Sequence, residues 1–252
     1  MDDGARVKTT QTSFRIIEAL RDNPGAGVSE LGRIVDLSKS AVHKHVQTLI
    51  DIGYLVREGD SYYLSNRFLS LGNRARDQLP LELASKIVSD LAETTGHITS
   101  FMAHENGRGV YALRVNPEGV DSNEPVVEGD VASLHATAGG KAILAFFSKE
   151  KRTDILDSVG LHAHTKKTIT DRQELERELS SVRDQRIAFD REEFISGYQC
   201  VASPVIDQNG KSIGAVSVTG NIQHMSGKHL EEDVTGLVIS AAKSFENKLL
   251  SQ

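Results

Sequence analysis

The stretch "SKSAVHKHVQTLIDIGYLVREGDSYYLS", residues 38–65, constrains the fold more than any other. Val42, Val46, Leu49 and Ile50 follow one another at spacings of 4, 3 and 1, which makes a single apolar stripe on a helix from about Lys39 to Asp51. Gly53 is a helix stop. Two strand-like runs then flank Gly59-Asp60, the composition of a two-residue hairpin. Upstream, Thr12 or Ser13 is read as the cap of "FRIIEALRD", with Phe14, Ile17 and Leu20 on one face. "NPGAG" breaks the chain, and Ser29 stands at or near the start of "SELGRIVD". Helix, helix, turn, helix and wing is the winged helix-turn-helix order, which lays its third helix in a DNA major groove.

The outer face of that helix has the right chemistry. With Val42, Val46 and Leu49 turned inward, Ser40, His43, Lys44 and Gln47 turn outward. Lys44 suits a phosphate or a guanine edge, and Gln47 an adenine edge. Ser29, Ser38 and Ser40, the first amides at Lys39, and Arg57 on the wing suit phosphates. The competing reading is a three-helix module that contacts protein. Agreement of helix order, polar face and hairpin favours DNA.

An acidic protein then has to hold a polyanion, since the formal net charge is −6. The charge is uneven. Residues 1–79 carry eleven Lys and Arg against ten Asp and Glu, and residues 80–252 carry eighteen against twenty-five. The acidity belongs to the C-terminal part, so the N-terminal part is free to present a local positive face. One cysteine excludes an internal disulfide and a cysteine-based metal cluster. No apolar run is long enough to span a bilayer, and "MDDGARVKTTQTS" shows no signal region. A cytoplasmic protein without membrane contact is expected.

Residues 66–79 read as a further helix linking residues 1–65 to residues 80–252. After Pro80 come an amphipathic helix, two strands around "ENGRG", a helix opening on glycines and running through "GKAILAFFSKEKRTDILD", and a charged surface helix. A hairpin turning at Asn209-Gly210 and a closing helix end the chain. Helices bracketing antiparallel strands give an α+β class.

"SLHATAGGKAILA", "AFDREEFISGYQCVASPVID" and "AVSVTGN", behind a winged helix with "KSAVHKHVQTLIDIGYL", strongly resemble the IclR family of transcription regulators. The resemblance runs from about Thr9 to Leu250, and the opening "KTTQTSFRIIEAL" looks like archaeal members. It implies a DNA-binding repressor or activator. Such proteins dimerise through the N-terminal part, often form tetramers, and carry a GAF-like domain that binds a small organic acid or aromatic. A dimer would place two recognition helices about one helical turn apart and read a short palindrome. Two departures are visible. Ala41 and Lys44 stand where the family has a Thr and an Arg, so the target site does not transfer. Gly139 stands where a Leu is common, which leaves space or flexibility.

Carried over position by position, the family's pocket falls on Thr137, Ala138, Gly139, Asp190, Cys200, Ser217 and Thr219. Amides after Gly139-Gly140 suit a carboxylate. Ser217 and Thr219, two apart, share a strand face, and an ionised Asp190 accepts a ligand hydroxyl. Each residue also has a plainer role. Ser217 and Thr219 pack, Cys200 is a small buried apolar group, and Asp190 caps "REEF" with Glu193 as a capping box.

Two rival classes use the same region. An enzyme would take Cys200 as nucleophile with His135 and Asp190. A metal sensor would draw on His162 and His164 with His97, His104 and His135. A third reading, an adaptor, would use the winged helix for protein contact. No catalysis, cofactor or bound metal is expected.

Overall fold

The computed structural model describes residues 7–118 and 125–251. The chain divides into two compact units, Met1–Gln78 and Leu79–Gln252.

In the first unit α1 (Lys8–Asp22), α2 (Val28–Ile34) and α3 (Lys39–Asp51) precede the antiparallel pair β1 (Leu55–Glu58) and β2 (Ser61–Leu64), then α4 (Arg67–Arg76). α3 starts where Ser38 accepts a hydrogen bond from the Ala41 amide at 3.2 Å. The turn before it is tight. A Cβ on Gly32 would stand 2.9 Å from the Leu37 carbonyl, and Asp36 adopts φ +53, a conformation its short polar side chain tolerates. Ile16, Leu20, Leu31, Val42, Val46, Leu55 and Tyr62 form the core.

Two N-terminal expectations are corrected. α1 begins at Lys8, so Thr12 and Ser13 lie inside it and cap nothing. Its buried face is Ile16, Ala19 and Leu20, whereas Phe14 is 57 % exposed, because Ile16 rather than Phe14 lies one turn from Leu20. Ser13 bonds instead to His45 Nδ1 on α3 at 2.9 Å. α2 begins at Val28 on an extended Gly27, whose carbonyl accepts from Glu30 and Leu31; Ser29, the second residue of α2, stands near its start as expected and faces solvent. α4 buries no residue. Its first turn nevertheless docks on the same unit: Arg67 donates to the Ile52 carbonyl at 2.8 Å, and Phe68 meets Tyr54 edge-on at 5.3 Å.

In the second unit α5 (Leu81–Thr95) ends on a left-handed Gly96. The strands β3 (Ile98–Glu105), β4 (Arg108–Val115), β5 (Val131–Ala132), β6 (Ala188–Arg191), β7 (Tyr198–Ile206) and β8 (Ser212–Asn221) make one antiparallel sheet in the order β5-β4-β3-β8-β7-β6. Asn106 and Gly107 both have positive φ, the two-residue turn that matches strand twist. At the β7–β8 turn Asp207 accepts from the Asn209 and Lys211 amides, both at 2.9 Å.

Side-chain alternation gives the sheet two buried faces. Phe101, Val201, Val216 and Val218 pack against α5 and α9 (Thr235–Leu249). Ala202 and Ala215 pack on the other face with residues of α6 (Ala138–Ala145), α7 (Lys149–Val159) and α8 (Arg172–Gln185).

The single helix expected from the glycines through "DILD" is two helices. Phe146 to Ser148 interrupt it, and Ser148 caps α7 by accepting from Lys151. The closing helix likewise opens with a π-helical turn, His229–Val234. The capping box at Asp190 does not form a helix. Glu192 has φ +66, which breaks a helical turn, and the Glu193 carboxylate reaches Lys141. Only the Asp190 half of the motif persists.

Candidate functional site

On α3, Val42, Val46 and Leu49 are buried, while Ser40, His43, Lys44 and Gln47 are exposed with Ser38 and Lys39 at the helix start. Ser29 is exposed on α2 and Arg57 on β1. Some of these groups are already engaged. Ser38 Oγ caps α3, Gln47 Nε2 donates to Asp51 Oδ1 at 2.8 Å, and Arg57 Nε donates to the Gly59 carbonyl at 2.7 Å. Ser38 keeps its O–H, Gln47 its amide oxygen and one N–H, and Arg57 further guanidinium N–H groups for DNA. The outward face still combines a cation, an amide and hydroxyls on one helix, which is what groove reading uses.

The second unit holds a small, partly open cavity on the α6 side of the sheet, with about 10 Å3 accessible to the centre of a water-sized sphere. Thr137, Gly139, Asp190, Cys200, Ser217 and Thr219 line it, so six of the seven residues singled out meet there. Ala138 does not. It is fully buried in the core beneath α6, since successive helix positions point about 100° apart. Met102, Tyr111, Phe194, Ile195, Tyr198 and Gln199 complete the wall. Met102 and Tyr111 sit on strands whose alternation was legible, yet nothing in the sequence says which strand neighbours β8. Phe194 to Gln199 follow Asp190 in a segment without regular structure until β7 begins at Tyr198, and their convergence depends on the chain's turn at Glu192.

Each wall element has a local cause. Thr137 caps α6 by accepting from the Gly140 amide at 3.2 Å. A Cβ on Gly140 would stand 2.3 Å from the Leu134 carbonyl oxygen, so only glycine lets α6 lie this close to the preceding loop. Ser217 and Thr219 project from β8 on the face opposite Val216 and Val218. Asp190 lies on β6 opposite Cys200 on β7. Its Oδ1 accepts from the Glu193 amide at 2.6 Å and the Phe194 amide at 3.3 Å, which holds the carboxyl at the wall. Burial, with the adjacent Glu193 charge, pushes its pKa up to about 7 against the pull of those amides and of Lys141.

The rival constellations do not assemble. His135 is buried with Nε2 3.0 Å from the His162 carbonyl, and it does not line the cavity beside Cys200. His164 Nε2 meets Ser133 Oγ at 2.9 Å, His104 Nε2 accepts from the Gly107 amide at 3.2 Å, and His97 faces His229. Among the described residues no three His, Cys, Asp or Glu side chains are grouped to hold a metal, and no helix is long and apolar enough to cross a membrane.

Comparison with known proteins agrees with this division. Residues 9–56 match the model of a winged helix-turn-helix DNA-binding domain, and residues 78–247 match that of the bacterial transcriptional regulator IclR C-terminal domain. The HTH-type transcriptional regulator KdgR of Escherichia coli is 30% identical over 94% of this chain and 91% of its own length. The crystal structure of IclR from Thermotoga maritima superposes with a TM-score of 0.77 at 27% identity, covering 97% of this chain and 99% of that one. An IclR homologue from Microbacterium hydrocarbonoxydans, crystallised with 4-hydroxybenzoate, has the same fold. Its TM-score is 0.77 at 21% identity, over 97% of this chain and 100% of that one. The chain belongs to the IclR family of transcriptional regulators, with a winged helix-turn-helix DNA-binding domain and a C-terminal effector domain.

Proposed function

We propose that the chain works by binding rather than catalysis, as a cytoplasmic homodimer or tetramer on a palindromic DNA operator, under the control of a small organic acid. Ser29, Ser38, Lys39, Ser40, His43, Lys44, Gln47 and Arg57 form the DNA surface. Thr137, Gly139, Asp190, Cys200, Ser217 and Thr219 form the effector site, with residues 66–79 joining reader and sensor. Two copies of a local basic face, one helical turn apart, bind the polyanion while the acidic charge resides in the effector domains.

The observation that carries this reading is the row of exposed Ser40, His43, Lys44 and Gln47 opposite the buried Val42, Val46 and Leu49 on one helix. The cavity in the second unit supplies the control. An acid bound there shifts the protein between states only by its difference in affinity for them.

The test has two arms. Duplexes selected from a random pool are titrated with wild-type protein, Lys44→Ala and Asp190→Ala. Thermal unfolding of each is followed with carboxylic, aromatic and sugar acids, since binding to the folded state raises the midpoint. Lys44→Ala should weaken DNA binding and keep the acid response, and Asp190→Ala should do the reverse. Equal loss of both functions in either variant would refute the division of labour.

A further inference from the structure

Behind the cavity wall lies a charge network that the wall itself does not display. Lys141 on α6 is 1% exposed, with Nζ 2.7 Å from Glu193 Oε1 and 3.3 Å from Glu178 Oε1 on α8. Its ammonium is committed to those two carboxylates. Glu193 Oε2 is buried without any hydrogen-bond partner among the described residues. Asp190 is 7% exposed, and its Oδ1 accepts from the Glu193 and Phe194 amides. Oδ2 has no hydrogen bond among the described residues and is the oxygen left for the cavity that Asp190 lines.

The groups around Asp190 can be followed element by element. The cavity lining contains no Lys, Arg or His. β7 contributes the Cys200 thiol and Tyr198, and β4 contributes Tyr111. Arg191, next along β6, reaches away to Glu231 at 3.1 Å. α6 and α8 contribute Lys141 and Glu178, and the segment after β6 contributes Glu193. One ammonium therefore serves two buried carboxylates, Asp190 and Glu193, and a third, Glu178, that is partly exposed. Ionising both buried carboxylates leaves one negative charge in the interior without a counter-ion, which low dielectric disfavours. Asp190 is the member without a direct cation contact.

We propose that Asp190 meets the effector as a neutral carboxylic acid that donates a hydrogen bond from Oδ2, and that the Lys141–Glu193 pair is the positioning device that keeps it neutral. The proposal rests on reading the cavity as the effector pocket. It reverses the role an ionised Asp190 would play. The ligand chemistry follows: the group opposite Oδ2 is an acceptor, and a carboxylate oxygen is the acceptor that an ionised Asp190 would exclude. A carboxylate brought against an ionised Asp190 would repel it, so binding is tied to one proton. Affinity falls about tenfold per pH unit above the point where Asp190 ionises. The raised Asp190 pKa, caused first by burial and then by the Glu193 charge, agrees with this arrangement.

The first readout needs no ligand. Full-length protein labelled with carbon-13 at aspartate carboxyls is titrated by NMR, with the Asp190 signal identified by its loss in Asp190→Asn. The expected midpoint lies near neutrality. In Glu193→Gln it should fall, because the adjacent charge is gone and Lys141 is released toward Asp190. Glu178→Gln, at the more exposed end of the network, should shift it the same way if Glu193→Gln does not fold. A wild-type midpoint in the ordinary carboxylate range overturns the proposal, as does one that neither variant moves.

The second readout is calorimetry with 4-hydroxybenzoate and a panel of short carboxylates, in two buffers of different ionisation enthalpy. Proton uptake close to one per site at pH 8 is expected. Carboxylate binding with no proton uptake overturns the donor role and leaves the effector reading standing. An Asp190 that titrates near neutrality in a protein that binds no carboxylate overturns the effector reading, and the donation with it.

Discussion

Met102 and Gly139 divide one space between them: a Cβ on Gly139 would stand 3.1 Å from the Met102 sulfur. The neighbouring Gly140 faces something different, since its Cβ would stand 2.3 Å from the Leu134 carbonyl oxygen and 2.4 Å from Leu134 Cα. A thioether end has rotatable bonds and yields, whereas a backbone does not. Gly139→Ala should therefore change stability by less than about 1 kcal/mol, the helix-propensity gain offsetting the push on Met102. Gly140→Ala should cost about 3 kcal/mol or more, at the upper end of overpacking. Urea unfolding of the two variants checks this. Similar midpoints for both would show that the loop before α6 moves freely.

Ser38 has two candidate jobs that one substitution separates. Its Oγ accepts from the Ala41 amide and so caps α3. Ser38→Ala should cost about 1 kcal/mol of stability. Ser38→Asp keeps the cap and complements the helix N-terminus, but sets a negative charge where a phosphate would approach. It should retain wild-type stability and lose DNA affinity. A variant that binds DNA like the wild type would place the phosphate elsewhere.

Lys44 and Gln47 should differ in kind. Lys44 is an exposed point charge, so Lys44→Ala should weaken binding to all duplexes alike and lower the salt slope by about 1. Gln47, held by Asp51 at 2.8 Å, presents its amide oxygen and remaining N–H to a base edge. Gln47→Ala should relax preference at one base position, at a cost of about 1–3 kcal/mol for the favoured base. Titrations against the selected site and its single-base variants, at two salt concentrations, distinguish the two patterns.

Much of this was readable from local rules. α3 spans the stretch that the Val42, Val46 and Leu49 stripe marks, and the three hairpin turns each carry a glycine at positive φ, Gly59, Gly107 and Gly210, a local requirement. Ser217 and Thr219 share the cavity wall because strand alternation demands it. What escaped depends on distant partners. Phe14 looks like a core residue until Ile16 and Leu20 occupy the face toward the core. The Lys141–Glu193–Glu178 network joins residues far apart in sequence, and a lysine in "GGKAILA" reads as solvated until α8 covers it. The two breaks, at Phe146 to Ser148 and at Glu192, follow from tertiary competition for backbone groups rather than from breaker residues.

Stability should depend on pH through two opposing sets of groups. Burial lowers the pKa of His97, His104, His135 and His164 below 6.5. The folded state then refuses protons that the unfolded state accepts, so their contribution is full above about pH 6.5 and is lost as pH falls below it. Asp190 works the other way, as does Glu193, whose pKa burial also raises. The folded Asp190 pKa of about 7 against 3.8 means the folded state holds a proton the unfolded state releases, so its contribution is present at low pH and lost as pH rises toward 7. In wild-type protein the two partly cancel between about pH 5 and 7. Asp190→Asn removes only the Asp190 share of the second set, so its stability should rise more steeply with pH than that of the wild type, by up to about 1.4 kcal/mol per pH unit. His135→Asn should flatten the rise instead. Urea unfolding at half-unit pH steps measures both slopes, and parallel curves for wild type and Asp190→Asn would mean that Asp190 carries no proton in the folded protein at these pH values.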